Sequence, residues 1–158
     1  GMTPLGFNSP AAQTTDRCVP YQESTEQEKL TEMKKWFEEL PEYCPPKEAF
    51  IPNGMTVYRF SSDEVPCNND FISHRLLNPE RIFDGVSECI ARSLSVYDDL
   101  EACKNIFKLP RHRKRFKSIL EVNLSNDDGL IMKTFKDPNH YSWWRSNSFN
   151  FETANKVL

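Results

Sequence analysis

Asn53-Gly54-Met55-Thr56-Val57-Tyr58-Arg59-Phe60 sets an Asn-Gly pair directly before a run rich in β-branched and aromatic residues. Such a pair marks a turn with positive φ, and the run behind it alternates Val57 and Arg59 with Tyr58 and Phe60. A strand is therefore expected, with Arg59 on the face of Val57. Asp84-Gly85 and Asp128-Gly129 repeat the signal, so three of the five glycines punctuate the chain ahead of apolar or β-branched stretches.

Working outward from this strand, the chain before it divides in two. Residues 1–24 carry Pro4, Pro10 and Pro20 among small polar residues with no apolar period, which predicts a flexible N-terminal arm. Thr25 with Glu28 resembles a capping box, and Leu30, Met33, Trp36 or Phe37 and Leu40 follow at helical spacing until Pro41. This predicts a helix whose other face, Glu32, Lys35, Glu38 and Glu39, is solvated.

On the C-terminal side, residues 61–84 are polar and broken by Pro66 and Pro79, long enough to expect a functional or partly helical loop. The stretch Val86 to Ser95 fits either a helical stripe or a strand, and the preceding turn pair favours a strand ending at Ser95. Tyr97, Leu100, Cys103 and Phe107 then form an apolar stripe of a helix that stops before Pro110. Lys117 to Leu124 alternates as a strand, and Leu130 to Phe135 after Ser125-Asn-Asp-Asp-Gly129 completes an expected β-hairpin with a five-residue loop. Residues 25–158 thus read as a single α+β domain with a small, mainly antiparallel sheet and two or three helices.

Composition bounds the function. The 158 residues, 38% hydrophobic, suffice for one core, and 20 basic against 23 acidic residues give a net charge of −3, no footprint for bulk nucleic-acid binding. Five cysteines with no Cys-x-x-Cys pair point to reduced thiols, and with no apolar run of membrane-spanning length the expectation is a soluble, cytoplasmic protein that contacts no membrane. Gly1 before Met2 reads as the scar of a removed tag. Scattered glycines exclude the phosphate-loop motifs, and three separated histidines, His74, His112 and His140, make no metal-ligand spacing, so no metal is expected.

Two constellations remain. Arg111, Arg113, Lys114 and Arg115, with His112 among them and Lys117 beyond, form the one dense basic segment and could meet phosphate or simply complement a helix C-terminus. His140, Tyr141, Trp143, Trp144, Phe149 and Phe151 supply aromatic area to close a sheet or line a pocket. Adjacent side chains of an extended segment point to opposite faces, so one of Trp143 and Trp144 is expected near a surface or pocket.

The order of parts over residues 54–124 resembles the ADP-ribosyltransferase-like fold, including its RES-type, toxin-like NAD-cleaving members: a strand with Tyr58-Arg59, a long irregular loop, a strand carrying Ser93-Leu94-Ser95, a helix, and a strand from Ile119 to Leu124. The resemblance implies NAD as substrate, Arg59 as phosphate anchor, Ser93 or Ser95 as the ribose-pocket hydroxyl, and Tyr97 as a stacking aromatic; apart from it, an exposed Trp144 in the cleft of Arg59 would meet the base. It also implies a catalytic glutamate on a late strand, here Glu121, which would act with Arg59 and Ser95. Glu121 and Glu152 are the only late glutamates, and no Gln-x-Glu or Glu-x-Glu pattern surrounds either. The toxin-like members imply a protein partner in the form of an antitoxin-like inhibitor. The alternative is a non-catalytic module that binds nucleotide, RNA or protein through residues 111–117 and the C-terminal aromatics.

Overall fold

The structure of the chain, a computed structural model, describes residues 35–63 and 65–158. Six antiparallel strands make one sheet in the order β4-β5-β2-β1-β3-β6. They are β1 (Thr56–Ser61), β2 (Leu94–Tyr97), β3 (Ser118–Asn123), β4 (Gly129–Lys133), β5 (His140–Arg145) and β6 (Asn155–Lys156). Four short helices accompany them among the described residues: α1 (His74–Leu77), α2 (Glu88–Ala91), α3 (Leu100–Phe107) and α4 (Pro110–Arg115). The architecture is α+β with an antiparallel sheet, as the alternation of apolar residues and turn pairs predicts.

The turn before β1 forms as read: Asn53 and Gly54 both have positive φ, 52° and 84°. β1 then pairs with β3 along its whole length, from Thr56↔Asn123 to Ser61↔Ser118. β1 and β3 send Val57, Leu120 and Val122 into a cluster that Leu94, Val96, Ile131 and Trp143 share. Each of these seven side chains is at most 1% exposed, and each contributes about 1.5–3 kcal/mol of transfer free energy.

The expected hairpin between β3 and β4 does not form; β4 pairs with β5 instead. In a flat sheet β3 and β4 would stand four spacings apart, about 19 Å. Six residue steps could reach about 21 Å only if fully extended, yet residues 125–128 make a turn closed by Asp128 N–H donating to Ser125 O at 3.1 Å. The sheet therefore curls around the shared cluster until the ends of β3 and β4 meet, which places Leu124 against the same core as Ile131. Turn chemistry marked the break between the strands, and burial of Trp143 beside Ile131 chose the partner.

The segment 86–95 is also divided differently. Ser87 caps α2 by accepting from Ile90 N–H at 3.2 Å, and the strand begins only at Leu94. The helical stripe of Val86, Cys89 and Ile90 thus applies to the first half alone. α3 starts one turn later than Tyr97, with Asp99 as its cap accepting from Ala102 N–H at 2.9 Å.

The N-terminal arm and the start of the expected first helix, residues 25–34, lie outside the described residues. Residues 35–40 are not helical: Trp36 bridges Ser146, and Phe37 N–H donates to Arg145 O at 3.1 Å. Pairing with the end of β5 overrides the local helical period. Nor is Glu38 on a solvated face. It is buried, and its carboxylate accepts from Ser73 N–H at 2.8 Å and Ser73 Oγ–H at 2.6 Å.

The expectation of reduced thiols is overturned. Cys44 and Cys89 form a disulfide across a separation of 45 residues, Cys67 is disulfide-bonded as well, and Cys103 is a buried free thiol. Cysteine spacing could not reveal this, because the bond joins the strap before β1 to α2, two segments brought together only by the fold. Among the described residues no helix is long and apolar enough to cross a membrane.

Candidate functional site

β1 and β2 are paired at a single register, Tyr58↔Tyr97, and beyond it the two strands part. Arg59 spans the gap. Its Nη1–H donates to Ser95 O at 2.7 Å, its Nε–H to Asp70 O at 2.6 Å and its Nη2–H to Ile72 O at 3.2 Å. A planar guanidinium with five donors suits such a junction, since lysine could not reach three divergent carbonyls from fixed directions.

The polar loop after β1 supplies the opposite wall. A 3-10 turn over Asn68–Phe71 is held by Asp70, whose carboxylate accepts from Ser61 Oγ–H at 2.8 Å and Cys67 N–H at 3.0 Å. Ser73 then caps α1, accepting from Leu76 N–H at 3.1 Å while Glu38 fixes it from behind. Asp63, Cys67 and Asp70 place possible ligand atoms within 4.8 Å of one another. The disulfide of Cys67 and the two bonds of Asp70 already use that group, so it is a structural knot and not a metal centre.

Between these walls lies a cavity of about 430 Å³, bounded by Arg59, Phe60, Ser95 and Tyr97 from the strands, His74 and Leu77 from α1, His112 and Arg115 from α4, and Phe116 after it. The size falls in the usual range for small-molecule and cofactor sites, about 300–1,000 Å³. Phe60 is its aromatic hub, with ring centroids 5.7 Å from Tyr97, 5.3 Å from His112 and 5.2 Å from Phe116.

Burial shapes the ionisation of these groups. It lowers the Arg59 pKa to about 10 despite the nearby charges of Asp70 and Glu38, which leaves the side chain cationic at neutral pH. Desolvation lowers His74, seconded by Arg59 and Arg115, and lowers His112, seconded by Arg111 and Arg115. Burial, with Cys103 and Asp137 adding to it, pushes the Tyr97 phenol up to about 12. The cavity thus offers fixed cations, neutral imidazoles and aromatic faces.

Of the residues singled out from sequence, Arg59, Ser95 and Tyr97 come together here, and Arg115 of the basic segment joins them. Glu121 does not line the cavity. It sits on β3 opposite Tyr58, whose hydroxyl donates to Glu121 Oε2 at 3.4 Å, and Tyr58 stands between it and Tyr97. Two strand spacings, about 10 Å, separate the Glu121 and Tyr97 positions. Glu152 is exposed in the 3-10 turn Phe151–Thr153. Ser93 is buried and donates to Ile90 O at 2.7 Å, closing the end of α2.

Trp144 is fully buried, its Nε1–H donating to Cys89 O at 2.9 Å, and Trp143 is equally buried with its Nε1–H on Asp128 O at 2.8 Å. The two do point to opposite faces of β5, but Trp144 is bonded to α2 and Trp143 belongs to the core cluster, so neither lines the cavity. Arg111, Arg113 and Lys114 are exposed on α4. The basic segment is thus a helix and not a loop, started by Pro110 at its first turn. His74, His112, Phe60 and Phe116 were not marked as site residues by sequence reasoning. The one legible signal was Pro110 as a helix start, which would have put His112 and Arg115 one turn apart on a common face.

No family model, curated protein or solved structure matches the chain.

Proposed function

We propose that the cleft between β1 and β2 binds a phosphate-bearing nucleotide of the NAD class and that the domain is an ADP-ribosyltransferase-like, NAD-cleaving enzyme. The observation that carries this reading is the convergence of Arg59, Ser95 and Tyr97, the residues the family resemblance assigns to the ligand, on one cavity of about 430 Å³. Arg59 and Arg115 attract the phosphates, and the rings of Tyr97, Phe60 and Phe116 supply flat apolar surface for a base. In the reaction the bond from ribose C1′ to the pyridinium nitrogen breaks, its electron pair passes to that nitrogen, and neutral nicotinamide leaves. Water then adds to C1′ and loses a proton to solvent, or an acceptor side chain does the same.

Glu121 has no place in this reading, because it lies outside the cavity. Asp70 is the carboxylate among the described lining residues; with both oxygens held by Ser61 and Cys67 it would act on a cationic C1′ through its fixed charge and not by direct contact. An antitoxin-like inhibitor protein would act by covering the same cleft. The Cys44–Cys89 bond favours an oxidising compartment over the cytoplasm, where such bonds are kept reduced.

Proton NMR of NAD incubated with the protein tests the reading through the appearance of free nicotinamide. Release that Tyr97→Ala and Arg115→Gln slow is the expected result. Silence, together with no NAD-induced rise in melting temperature, sinks it. A second reading rests on the exposed Arg111, Arg113 and Lys114: a phosphate-contacting surface for nucleic acid. It requires a gel shift that weakens with salt and with neutralisation of Arg111 and Arg113. Burial of Trp143 and Trp144 takes those two rings out of that alternative, leaving the half-buried Tyr141 and Phe151 as its aromatic part.

A further inference from the structure

We propose that His112 and Arg115 of α4, which line the same cavity as Arg59 and His74, form a subsite for a phosphate group of the ligand. The inference rests on the reading of the cleft as a nucleotide site and names which groups select the ligand within it. Three independent features of the geometry support it.

The first is the helix face. His112 and Arg115 are three residues apart on α4 and both line the cavity; Arg111, Arg113 and Lys114 are exposed like Arg115 but are not part of the lining. Arg115 is therefore set apart from its neighbours in sequence by where α4 puts it.

The second is an unmet hydrogen bond. The His112 ring packs against both Phe60 and Phe116, with centroids at 5.3 Å and 5.9 Å, and among the described residues its buried Nδ1 has no partner. A ligand group can reach this enclosed nitrogen only when the ring turns toward the cavity, and that turn relieves its unmet hydrogen bond. Arg59 has spare capacity of the same kind. Its three bonds to carbonyls use Nε and one hydrogen of each terminal nitrogen, so one N–H on each of Nη1 and Nη2 remains.

The third is charge. Arg59 and Arg115 are the fixed cations of the cavity lining, with Arg81 and Arg111 adding positive charge at its margins, while His74, His112 and Tyr97 are neutral. Asp70 is the only carboxylate among the described lining residues, and both its oxygens are engaged by Ser61 and Cys67. Among the described residues no carboxylate lies within ion-pair distance of Arg59 or Arg115. Asp70 and Glu38 offset the Arg59 charge only in part; an anion relieves the rest, and a phosphate group can accept from both guanidinium groups and from a protonated His112. The ligand class that follows is a nucleotide carrying a mono- or diphosphate, with a bare nucleoside rejected.

Calorimetric titration with inorganic pyrophosphate, ADP and adenosine, on wild type, Arg115→Gln and Arg113→Gln, decides the matter. The expected result is that pyrophosphate and ADP bind, adenosine binds at least about tenfold more weakly, and Arg115→Gln weakens ADP by about tenfold or more, the scale of a lost charge-assisted hydrogen bond. Arg113→Gln removes the same charge from the outer face and should change binding less than about twofold. Imidazole NMR should show the His112 pKa rising when ADP binds. No binding of pyrophosphate or ADP overturns the proposal, as do equal affinities for ADP and adenosine or equal losses in the two arginine variants. Binding of ADP with the expected pattern but no nicotinamide release from NAD leaves the subsite standing and removes the NAD-cleaving reading.

Discussion

Replacing Cys44 and Cys89 together by alanine opens a cross-link between residues 45 apart in sequence. In the chain-entropy description the unfolded ensemble regains about 13 cal/mol/K, which is about 4 kcal/mol at 25 °C. For a domain of this size that corresponds to a fall in melting temperature of about 12 °C. The loss should also reach the cleft. The bond holds the strap that carries Glu38, Glu38 holds Ser73, and Ser73 caps the helix bearing His74 and Leu77. Urea titrations of wild type and the double variant, with the Cys67 bond verified intact by mass spectrometry, measure the energy without disturbing the second disulfide. In both proteins Cys103 should resist thiol reagents until unfolding, because burial pushes its pKa to about 12. A stability difference below about 1 kcal/mol, or alkylation of Cys44 in the oxidised native protein, would refute the reasoning.

Burial raises the Glu38 pKa above 4.5, so folding favours its protonated form: its contribution to stability is fullest below pH 4.5 and declines as the pH rises through the shifted value. Glu38→Gln cannot ionise, so the stability of wild type relative to the variant should fall as the pH rises above 4.5 in urea titrations; a constant difference would contradict a desolvated carboxylate. Gly129 has a φ of 126° and an added Cβ would collide with the backbone carbonyl of Trp144, whereas Gly54 at 84° has open space around it. Gly54→Ala should cost about 1 kcal/mol and Gly129→Ala about 3 kcal/mol or more; equal losses in denaturant titration would show that close approach to β5 is not what requires glycine.

Local chemistry announced several parts of this protein. Asn53-Gly54 and the β-branched run behind it predicted β1 within one residue, because turn dihedrals and strand alternation are properties of neighbouring residues. The stripe of Leu100, Cys103 and Phe107 predicted α3 for the same reason. Arg59, Ser95 and Tyr97 were also singled out before the fold was known, by the order of strands around them. Segments with two valid local readings went astray: 86–95 holds a helix and a strand where one strand was expected, and residues 35–40 pair with β5 although their spacing is helical.

What the sequence by itself determined is the alphabet of short elements, the α+β class, and the charge and aromatic content available to a site. Only the tertiary structure decided that β4 joins β5 and not β3, that Cys44 meets Cys89, that Trp143 and Trp144 are both core, and that Glu121 stands apart from Arg59 while His112 and Arg115 stand beside it. The physical reason is common to all four. Each depends on contacts between segments distant in sequence, packed around a core that buries Val57, Leu94, Val96, Leu120, Val122, Ile131 and Trp143 together, and no window of neighbouring residues contains that sum.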